Sequence, residues 1–218
     1  MMLTYQVILA LILSYLLGSI PTSVWVGKWF FDLDIRTQGS GNAGATNTIR
    51  VFGIKAGLPV LLFDVFKAWL AVHLGTWFPN PEYSVNQEVI YRIILGGLAV
   101  LGHVYPVFAG FRGGKGVATI VGVVIALYPA SFLVILLCFS LVLATTRIVS
   151  LSSIIGAIVF PFVAILMFDE RRLPLVILAI AIALFVPYTH RANIKRLIGG
   201  TEKRFDFGKN RIRKNEGV

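Results

Sequence analysis

Long apolar segments separated by short polar stretches make up most of the chain. Seven can be distinguished, and several reach the ~20 residues that a helix needs to cross a bilayer. They cover about residues 3–30, 51–77, 89–108, 117–128, 130–145, 148–168 and 173–188. The fourth, 117–128, is too short to span fully at ~1.5 Å per helical residue. The pattern predicts an all-α integral membrane protein, a bundle of seven transmembrane helices.

Composition supports this fold class and limits the domain count. Of the 218 residues, 57% are hydrophobic and only 14% are charged, which excludes an ordinary soluble domain. We expect one membrane domain over residues 1–198 and a basic cytoplasmic tail, partly disordered, over 199–218. The single cysteine, Cys138, excludes a disulfide framework. The first apolar segment has no Lys or Arg before Lys28, so we interpret it as a retained helix rather than a cleaved signal.

The distribution of Lys and Arg predicts the orientation. With seven crossings, sixteen of these cations fall on one side, nine of them after His190, and three fall on the other. The positive-inside rule then places the N-terminus outside and the C-terminus in the cytoplasm. This assignment fails if segment 117–128 does not cross. The net charge of +10 lies beside the membrane, which favours contact with anionic lipids and not with nucleic acid.

Two glycine-rich runs at membrane edges are the strongest candidates for a functional site. Glycine lets an anion approach backbone N–H groups, and an arginine or lysine adds positive charge. The first run offers Ser40, Gly41, Asn42, Thr46, Asn47 and Arg50, and the second offers Gly113, Gly114, Lys115 and Gly116. Together they predict an anionic substrate bound at the bilayer surface. Glycine-rich membrane loops also occur only as turns or as close packing contacts.

Ionisable and polar residues within or beside the apolar segments are further candidates. Asp64 and Lys67 share a helical face, where they either form a structural ion pair or place Lys67 near the substrate. The sequence leaves two roles open for His103, a packing residue or a catalytic base. Four other polar residues are suited to the site: Ser150 and Ser153 near the predicted cytoplasmic edge, and His190 with Asn193 at i, i+3. We expect the neighbouring Arg191, Lys195 and Arg196 to contact lipid headgroups.

Several familiar functional motifs are incomplete or absent in this sequence. The spacing Gly39-x-Gly41-x-x-Gly44 matches a dinucleotide fingerprint but no strand precedes it. In the second run, Gly116 stands where a phosphate-binding loop requires Ser or Thr. No metal-binding pattern occurs, so we predict neither a metal nor a cofactor. The soluble acyltransferase signature, His followed after four residues by Asp, is also absent.

The glycine-rich runs closely resemble motifs of the bacterial acyl-phosphate:glycerol-3-phosphate acyltransferase family (PlsY). The matching stretches are 39–47, 102–108 with 110–119, and the shorter 190–194. The resemblance implies a seven-helix enzyme of the bacterial inner membrane with its active site on the cytoplasmic side. It would transfer a fatty acyl group from acyl phosphate to glycerol 3-phosphate, giving lysophosphatidic acid and phosphate. Besides substrates and membrane lipids, other enzymes of phospholipid synthesis would be its partners.

Carried over to this chain, the family's ligands are Ser40, Arg50, Lys115, His190 and Asn193. Acyl phosphate has a good leaving group, so the reaction mainly needs two anions held together and stabilised oxyanion charge. Either His190 or the substrate's own phosphate takes the hydroxyl proton, and the absence of a carboxylate in the motifs favours the phosphate. A transporter for a phosphorylated anion and a membrane scaffold are the competing interpretations. The collection of polar motifs near one face argues against passage across the membrane.

Overall fold

Helices account for most of residues 5–205, the part of the chain that this computed structural model describes. Within that part there is no strand, which confirms the all-helical prediction. The helices are α1 (Tyr5–Ser19), α2 (Thr22–Phe31), α3 (Ala45–Phe52), α4 (Ile54–Trp77), α5 (Val85–Val104), α6 (Val117–Leu127), α7 (Pro129–Thr146), α8 (Val149–Phe162), α9 (Leu173–Thr189) and α10 (Arg191–Ile198). A π-helical turn, Val163–Met167, continues α8.

Four of these helices are long and apolar enough to cross a membrane: α4, α5, α7 and α8 with its π-helical turn. Two bent pairs raise the number to six if each pair forms one span. Helices α1 and α2 meet at 43°, and α9 and α10 meet at 62°. Helix α6 has only 11 residues, as the sequence indicated. The described chain is therefore a multi-pass membrane protein with four to six candidate spans, and a seventh crossing depends on α6.

Prolines explain where several helices end. The predicted segment 3–30 is divided at Ile20–Pro21, between α1 and α2. Helix α5 ends at Val104, two residues before Pro106, and Pro129 begins α7 directly after α6. Proline lacks a backbone N–H and restricts the preceding residue to extended conformations, so it stops one helix and can open the next. The periodicity of apolar residues does not reveal these breaks.

Small residues allow the helices to approach closely. A methyl group at Gly102 of α5 would lie 2.8 Å from the backbone nitrogen of Ser19, so α5 packs directly on the end of α1. One at Gly122 of α6 would lie 2.9 Å from the nitrogen of Trp69 in α4. Such contacts are typical of membrane helices, which associate by close packing rather than by the hydrophobic effect. Helix α6 is thereby held against α4 and α5.

A second packing unit is formed by α8 and α9 with α6. Its buried residues include Phe160, Leu175 and Ala179, and the hydroxyl of Tyr128 donates a 2.6 Å hydrogen bond to the carbonyl of Leu175. Helix α7 packs on α8, and most of its surface, including Leu133 and Leu137, is exposed. That apolar exposure fits contact with lipid. The polar candidates Arg50, Lys115 and His190 lie on α3, in the loop before α6 and at the α9–α10 junction.

Candidate active site

The first glycine-rich loop is held in shape by Asn47. Its side chain is only 1% exposed, and its Oδ1 accepts a 2.8 Å hydrogen bond from the Ser40 backbone. Its Nδ2 donates to the carbonyls of Ile35, Gln38 and Asn42 at 3.0–3.2 Å. Both N–H donors of this amide are used within the loop, shared among three carbonyls. Asn47 therefore shapes the loop that presents Ser40, and its predicted contact with substrate stays a prediction.

The second glycine-rich loop lies directly against the first. Gly116 has a φ of +82°, a conformation that favours glycine, and it caps the start of α6. A methyl group at Gly114 would lie 2.6 Å from the carbonyl oxygen of Ala43 in the first loop. Arg36 adds a second connection, because its Nη1 donates a 2.7 Å hydrogen bond to the carbonyl of Ala109. The two glycine-rich runs identified in the sequence therefore pack against each other.

A chain of polar contacts begins at Lys115 in the second loop. Its Nζ donates a hydrogen bond to Oδ1 of Asn193 in α10. The Nδ2 of Asn193 donates in turn to Glu202 Oε1 at 2.6 Å. Ser150, at the start of α8, donates to the same carboxylate oxygen at 2.8 Å. Three segments that are distant in sequence therefore meet at one cluster.

Two arginines complete the positive side of this cluster. Arg196 Nε forms a 2.6 Å salt bridge with Glu202 Oε2. Arg50 of α3 lies within electrostatic range of Glu202, Arg196 and Lys115. The Arg50 side chain has no hydrogen bond to any other described residue, so its guanidinium can bind a ligand in a bidentate fork. Three cations against one carboxylate leave a formal charge of +2, which suits a phosphate dianion.

The surroundings shift the ionisation of these groups. Burial, with the charges of Arg196 and Arg50, lowers the pKa of Lys115 to about 8 against the opposing effect of Glu202. Burial also lowers the pKa of Arg50, although an arginine remains charged. Burial alone would raise the pKa of Glu202, but hydrogen bonds from Asn193, Ser150 and Arg196 bring it below its usual value. At neutral pH the cluster therefore holds three cations and one carboxylate.

His190 sits at the junction of α9 and α10, 4% exposed. Its Nδ1 lies 2.8 Å from the carbonyl oxygen of Val186, which can only accept a hydrogen bond. Nδ1 therefore carries the proton, and Nε2 keeps a lone pair that can accept one from a substrate hydroxyl. Lys115 and Glu202 act on this ring electrostatically. The imidazole thus belongs to the same cluster as the cations.

The other predicted site residues differ in exposure and in hydrogen bonding. Ser40 and Gly41 are exposed on the first loop, Gly113 and Gly114 are half-buried on the second, and Asn42 and Thr46 are half-buried. Ser153 is different, because its hydroxyl donates to the carbonyl of Val149 within its own helix at 2.9 Å. Of the two serines, the structure brings Ser150 into the polar cluster. Ser153 has the backbone-bonding role common for serine in membrane helices.

Sequence analysis missed two members of the cluster. Glu202 was assigned to a solvated basic tail, but the described residues 199–205 fold back onto the site and Phe205 donates to the carbonyl of Arg147 at 2.5 Å. Arg196 was expected on lipid headgroups; its Nε forms a salt bridge with Glu202, and its contact with lipid stays a prediction. A carboxylate shortly after a Gly-Gly turn was the only available signal. The rest of the predicted tail, 206–218, lies outside the described residues, so its predicted disorder stays a prediction.

Asp64, Lys67 and His103 form a separate buried group. Lys67 Nζ lies 2.6 Å from Asp64 Oδ1 and 3.2 Å from His103 Nδ1. The structure therefore supports the ion-pair interpretation of Lys67, whose side chain is 1% exposed and does not join the cluster around Lys115. His103 is likewise hydrogen-bonded within the protein. Among the described residues, no group of three or more His, Cys, Asp or Glu side chains is arranged to hold a metal ion.

An all-helical membrane fold with a positively charged polar cluster at the ends of its helices is typical of a membrane protein that acts on an anionic substrate. The family model described as glycerol-3-phosphate acyltransferase matches residues 8–200. The glycerol-3-phosphate acyltransferase of Listeria monocytogenes serotype 4a is 44% identical, over 94% of this chain and 100% of its own. That of Chlorobium luteolum is 42% identical, over 95% and 99%.

Solved structures give the same result. The crystal structure of PlsY (YgiH), an integral membrane glycerol 3-phosphate acyltransferase, in its glycerol 3-phosphate form superposes with a TM-score of 0.81 at 36% identity. The match covers 92% of this chain and 96% of that one. The lysophosphatidic acid form of PlsY gives a TM-score of 0.78 at 35% identity. The chain belongs to the glycerol-3-phosphate acyltransferase family and is an integral membrane acyltransferase.

Proposed function

We propose that this protein transfers a fatty acyl group from acyl phosphate to glycerol 3-phosphate, releasing lysophosphatidic acid and inorganic phosphate. The observation that carries the proposal is the cluster of Arg50, Lys115 and Arg196 with a formal charge of +2. Both substrates are phosphate esters or anhydrides, and both must approach despite their mutual repulsion. Fixed cations in a partly desolvated site reduce that repulsion and hold the reacting groups together.

The reaction requires one bond to form and one to break. The hydroxyl oxygen at C1 of glycerol 3-phosphate attacks the acyl carbonyl carbon, the carbonyl oxygen becomes an oxyanion, and the bond to the phosphate oxygen breaks. Arg50 and Lys115 bind the phosphate groups, with Ser40, Ser150 and Asn193 as polar ligands. Gly41, Gly113 and Gly114 shape the loops, because their backbone N–H groups donate to the carbonyls of Gln38, Val104 and His103. The backbone N–H of Gly116 is available to the oxyanion or to phosphate. The released phosphate carries away the bonding electron pair.

The hydroxyl proton goes either to His190 or to a phosphate oxygen of a substrate. His190 Nε2 has a free lone pair, but its Nδ1 is held by a backbone carbonyl rather than by a carboxylate. A carboxylate partner would stabilise the imidazolium that forms on proton uptake, whereas a neutral carbonyl does so less. This arrangement supports a phosphate oxygen as the acceptor, with His190 orienting the hydroxyl. It also supports an activated donor with a good leaving group, such as acyl phosphate.

The orientation follows from the position of the cluster. We assign seven crossings, counting the two bent pairs and α6 with the four long helices. The glycine-rich loops, the α7–α8 junction and the α9–α10 junction then lie on the side with the excess of Lys and Arg, which is the cytoplasmic side. This supports a bacterial inner-membrane location, where glycerol 3-phosphate reaches the site from the cytoplasm. Membrane lipids and other enzymes of phospholipid synthesis are the expected partners.

Phosphate release by the purified protein in lipid tests this proposal. Acyl phosphate should yield phosphate only when glycerol 3-phosphate is also present, and lysophosphatidic acid should form in equal amount. Acyl-CoA and acyl carrier protein should not replace acyl phosphate. Transfer from either of these donors at a comparable rate would overturn the donor assignment while leaving the acyltransferase class intact. Uptake of glycerol 3-phosphate into vesicles without acylation would favour transport instead.

A further inference from the structure

A buried ion pair on α4 takes no part in the proposed chemistry. Asp64 and Lys67 are 2% and 1% exposed, and their charged atoms lie 2.6 Å apart. Thr22, at the start of α2, donates a 3.1 Å hydrogen bond to the same Asp64 oxygen. Burying two charges costs several kcal/mol per ion unless their partners compensate. A pair of apolar residues in place of the ion pair often gives the same or a greater stability. Stability alone therefore gives little reason to place an ion pair here.

The lysine fixes the tautomer of a neighbouring histidine. An ammonium group has three N–H donors and no acceptor. The donors of Lys67 point to Asp64 Oδ1, to the carbonyl of Ile20 at 2.9 Å and to His103 Nδ1 at 3.2 Å. We assign His103 Nδ1, which also lies 3.6 Å from Asp64 Oδ1, as the acceptor in the contact with Lys67, and this places the ring proton on Nε2. The ion pair thus sets which edge of the imidazole is a donor.

That donor edge lies against the second glycine-rich loop. A methyl group built on Gly114 would collide with His103 Nε2, so the ring borders the Gly114 backbone directly. The backbone of His103 holds the same residue, because its carbonyl accepts a 3.1 Å hydrogen bond from the Gly114 N–H. The N–H of Gly113 donates to the Val104 carbonyl at the same distance. The next residue in the chain is Lys115, whose Nζ belongs to the cationic cluster.

We propose that Asp64, Lys67 and His103 are positioning residues for Lys115. The ion pair presents His103 with its N–H edge towards the loop, the ring and the His103 carbonyl fix Gly114 between them, and Lys115 is thereby directed at the substrate phosphate. None of the three touches substrate. The inference rests on the proposed function, because it assigns Lys115 to phosphate binding. A displacement of about 1 Å at such a group can cost up to about 10²-fold in rate.

Two substitutions of His103 separate positioning from stability. In His103→Asn, the amide oxygen can still accept from Lys67, so no charge is left buried alone. The side chain no longer reaches Gly114, which keeps only its backbone hydrogen bond to the carbonyl of residue 103. In His103→Gln, the longer side chain brings an N–H close to the former Nε2. His73→Asn is the matched control, since His73 also lies in a membrane helix and its Nδ1 contacts only the Trp69 carbonyl of its own helix, at 2.8 Å.

The measurements are the thermal midpoint, kcat, and KM for glycerol 3-phosphate, with calorimetric binding of glycerol 3-phosphate in the absence of donor. We expect His103→Asn to raise KM and Kd by about tenfold with a smaller change in kcat, because the phosphate-binding lysine is misplaced. His103→Gln should recover most of the loss, and His73→Asn should match the wild type. A folded His103→Asn protein with wild-type KM and Kd would overturn the inference, as would equal losses in the Asn and Gln variants.

A double variant decides the question if His103→Asn does not fold. Asp64→Leu with Lys67→Met removes both charges and keeps similar volumes, so we expect the protein to fold, but Lys67 no longer holds the His103 ring through Nδ1. The inference predicts the same rise in KM and Kd, and wild-type values would contradict it. Failure of the proposed function is distinguishable, because wild-type protein would then show no transfer, while a failed inference leaves wild-type transfer intact.

Discussion

Lys115 donates a hydrogen bond from Nζ to Oδ1 of Asn193, a residue 78 positions further along the chain. The opposite face of the Asn193 amide donates to Glu202, so the orientation of this side chain is defined by a cation on one side and a carboxylate on the other. Only an amide offers an acceptor and a donor in this arrangement. The pair connects the second glycine-rich loop to the α9–α10 junction and is the centre of the cationic cluster.

Asn193→Asp tests this arrangement with almost no change in volume. The new carboxylate would face Glu202 where the amide donated at 2.6 Å, and it would partly neutralise Lys115. We expect kcat/KM for glycerol 3-phosphate to fall by at least about tenfold, since a charge-assisted contact is replaced by a repulsion. Asn80→Asp is the control. Asn80 lies in the loop between α4 and α5, and the new carboxylate can still accept the hydrogen bond from the Glu82 N–H. Equal rates in the two variants would remove Asn193 from the site.

The pH profile should report the ionisation of Lys115. Its pKa is lowered to about 8, so the ammonium form that binds phosphate predominates below pH 8 and is lost as the pH rises through that value. We predict that kcat/KM falls on the alkaline side with a midpoint near pH 8. In Lys115→Arg the side chain stays charged across this range, so the alkaline limb should disappear although the maximal rate is lower. A limb near pH 8 that survives in Lys115→Arg would assign it to another group.

Arg50 is predicted to bind phosphate through its free guanidinium. Arg50→Ala should abolish most turnover, a loss of about 10²–10³ in kcat/KM, typical of removing one group that stabilises charge in a transition state. Arg50→Lys restores the charge but not the bidentate fork, so it should recover only part of the activity. Thermal midpoints of both variants should stay near wild type, because no described hydrogen bond of this side chain is lost. Near wild-type turnover in Arg50→Ala would contradict the site assignment.

Glu202 has a stabilising rather than a chemical role in this account. Glu202→Ala removes an acceptor for Ser150 and Asn193 and leaves Arg196 without its partner. We expect a loss of about 1–3 kcal/mol in the free energy of unfolding, the usual cost of unsatisfied charged hydrogen bonds. Because its folded pKa is lowered, this contribution is present above the unfolded value and lost as the pH falls through the folded one. A thermal midpoint unchanged from wild type would refute it.

The sequence predicted the fold class and the chemistry better than it predicted the boundaries of the helices. Apolar periodicity located the long helices, and the glycine-rich runs with Arg50 and Lys115 located the loops that meet at the cluster. Pattern alone could not show that the first segment breaks at Pro21 or that Arg50 lies on its own short helix, α3. Those features depend on backbone conformation, such as the φ of +89° at Gly53 between α3 and α4. A hydropathy pattern does not record them.

Long-range contacts account for what the sequence missed in the site. Asn47 was predicted as a substrate ligand, and the structure adds hydrogen bonds between its amide and four backbone groups of the loop, which the sequence did not indicate. Ser150 and Ser153 have the same local pattern, and only the return of residues 199–205 gives Ser150 a distant partner. Glu202 and Arg196 were assigned to solvent and lipid because their neighbours in sequence are polar. Their roles follow from a chain reversal that local sequence does not predict.

The donor dependence of phosphate release decides whether this protein is an acyl-phosphate-dependent acyltransferase. Purified wild-type protein in lipid would be given acyl phosphate, acyl-CoA or acyl carrier protein, each with and without glycerol 3-phosphate. We predict stoichiometric phosphate and lysophosphatidic acid from acyl phosphate and glycerol 3-phosphate together, and neither product from any other combination. Phosphate release that does not depend on glycerol 3-phosphate, or lysophosphatidic acid formed equally well from acyl-CoA, would contradict the account.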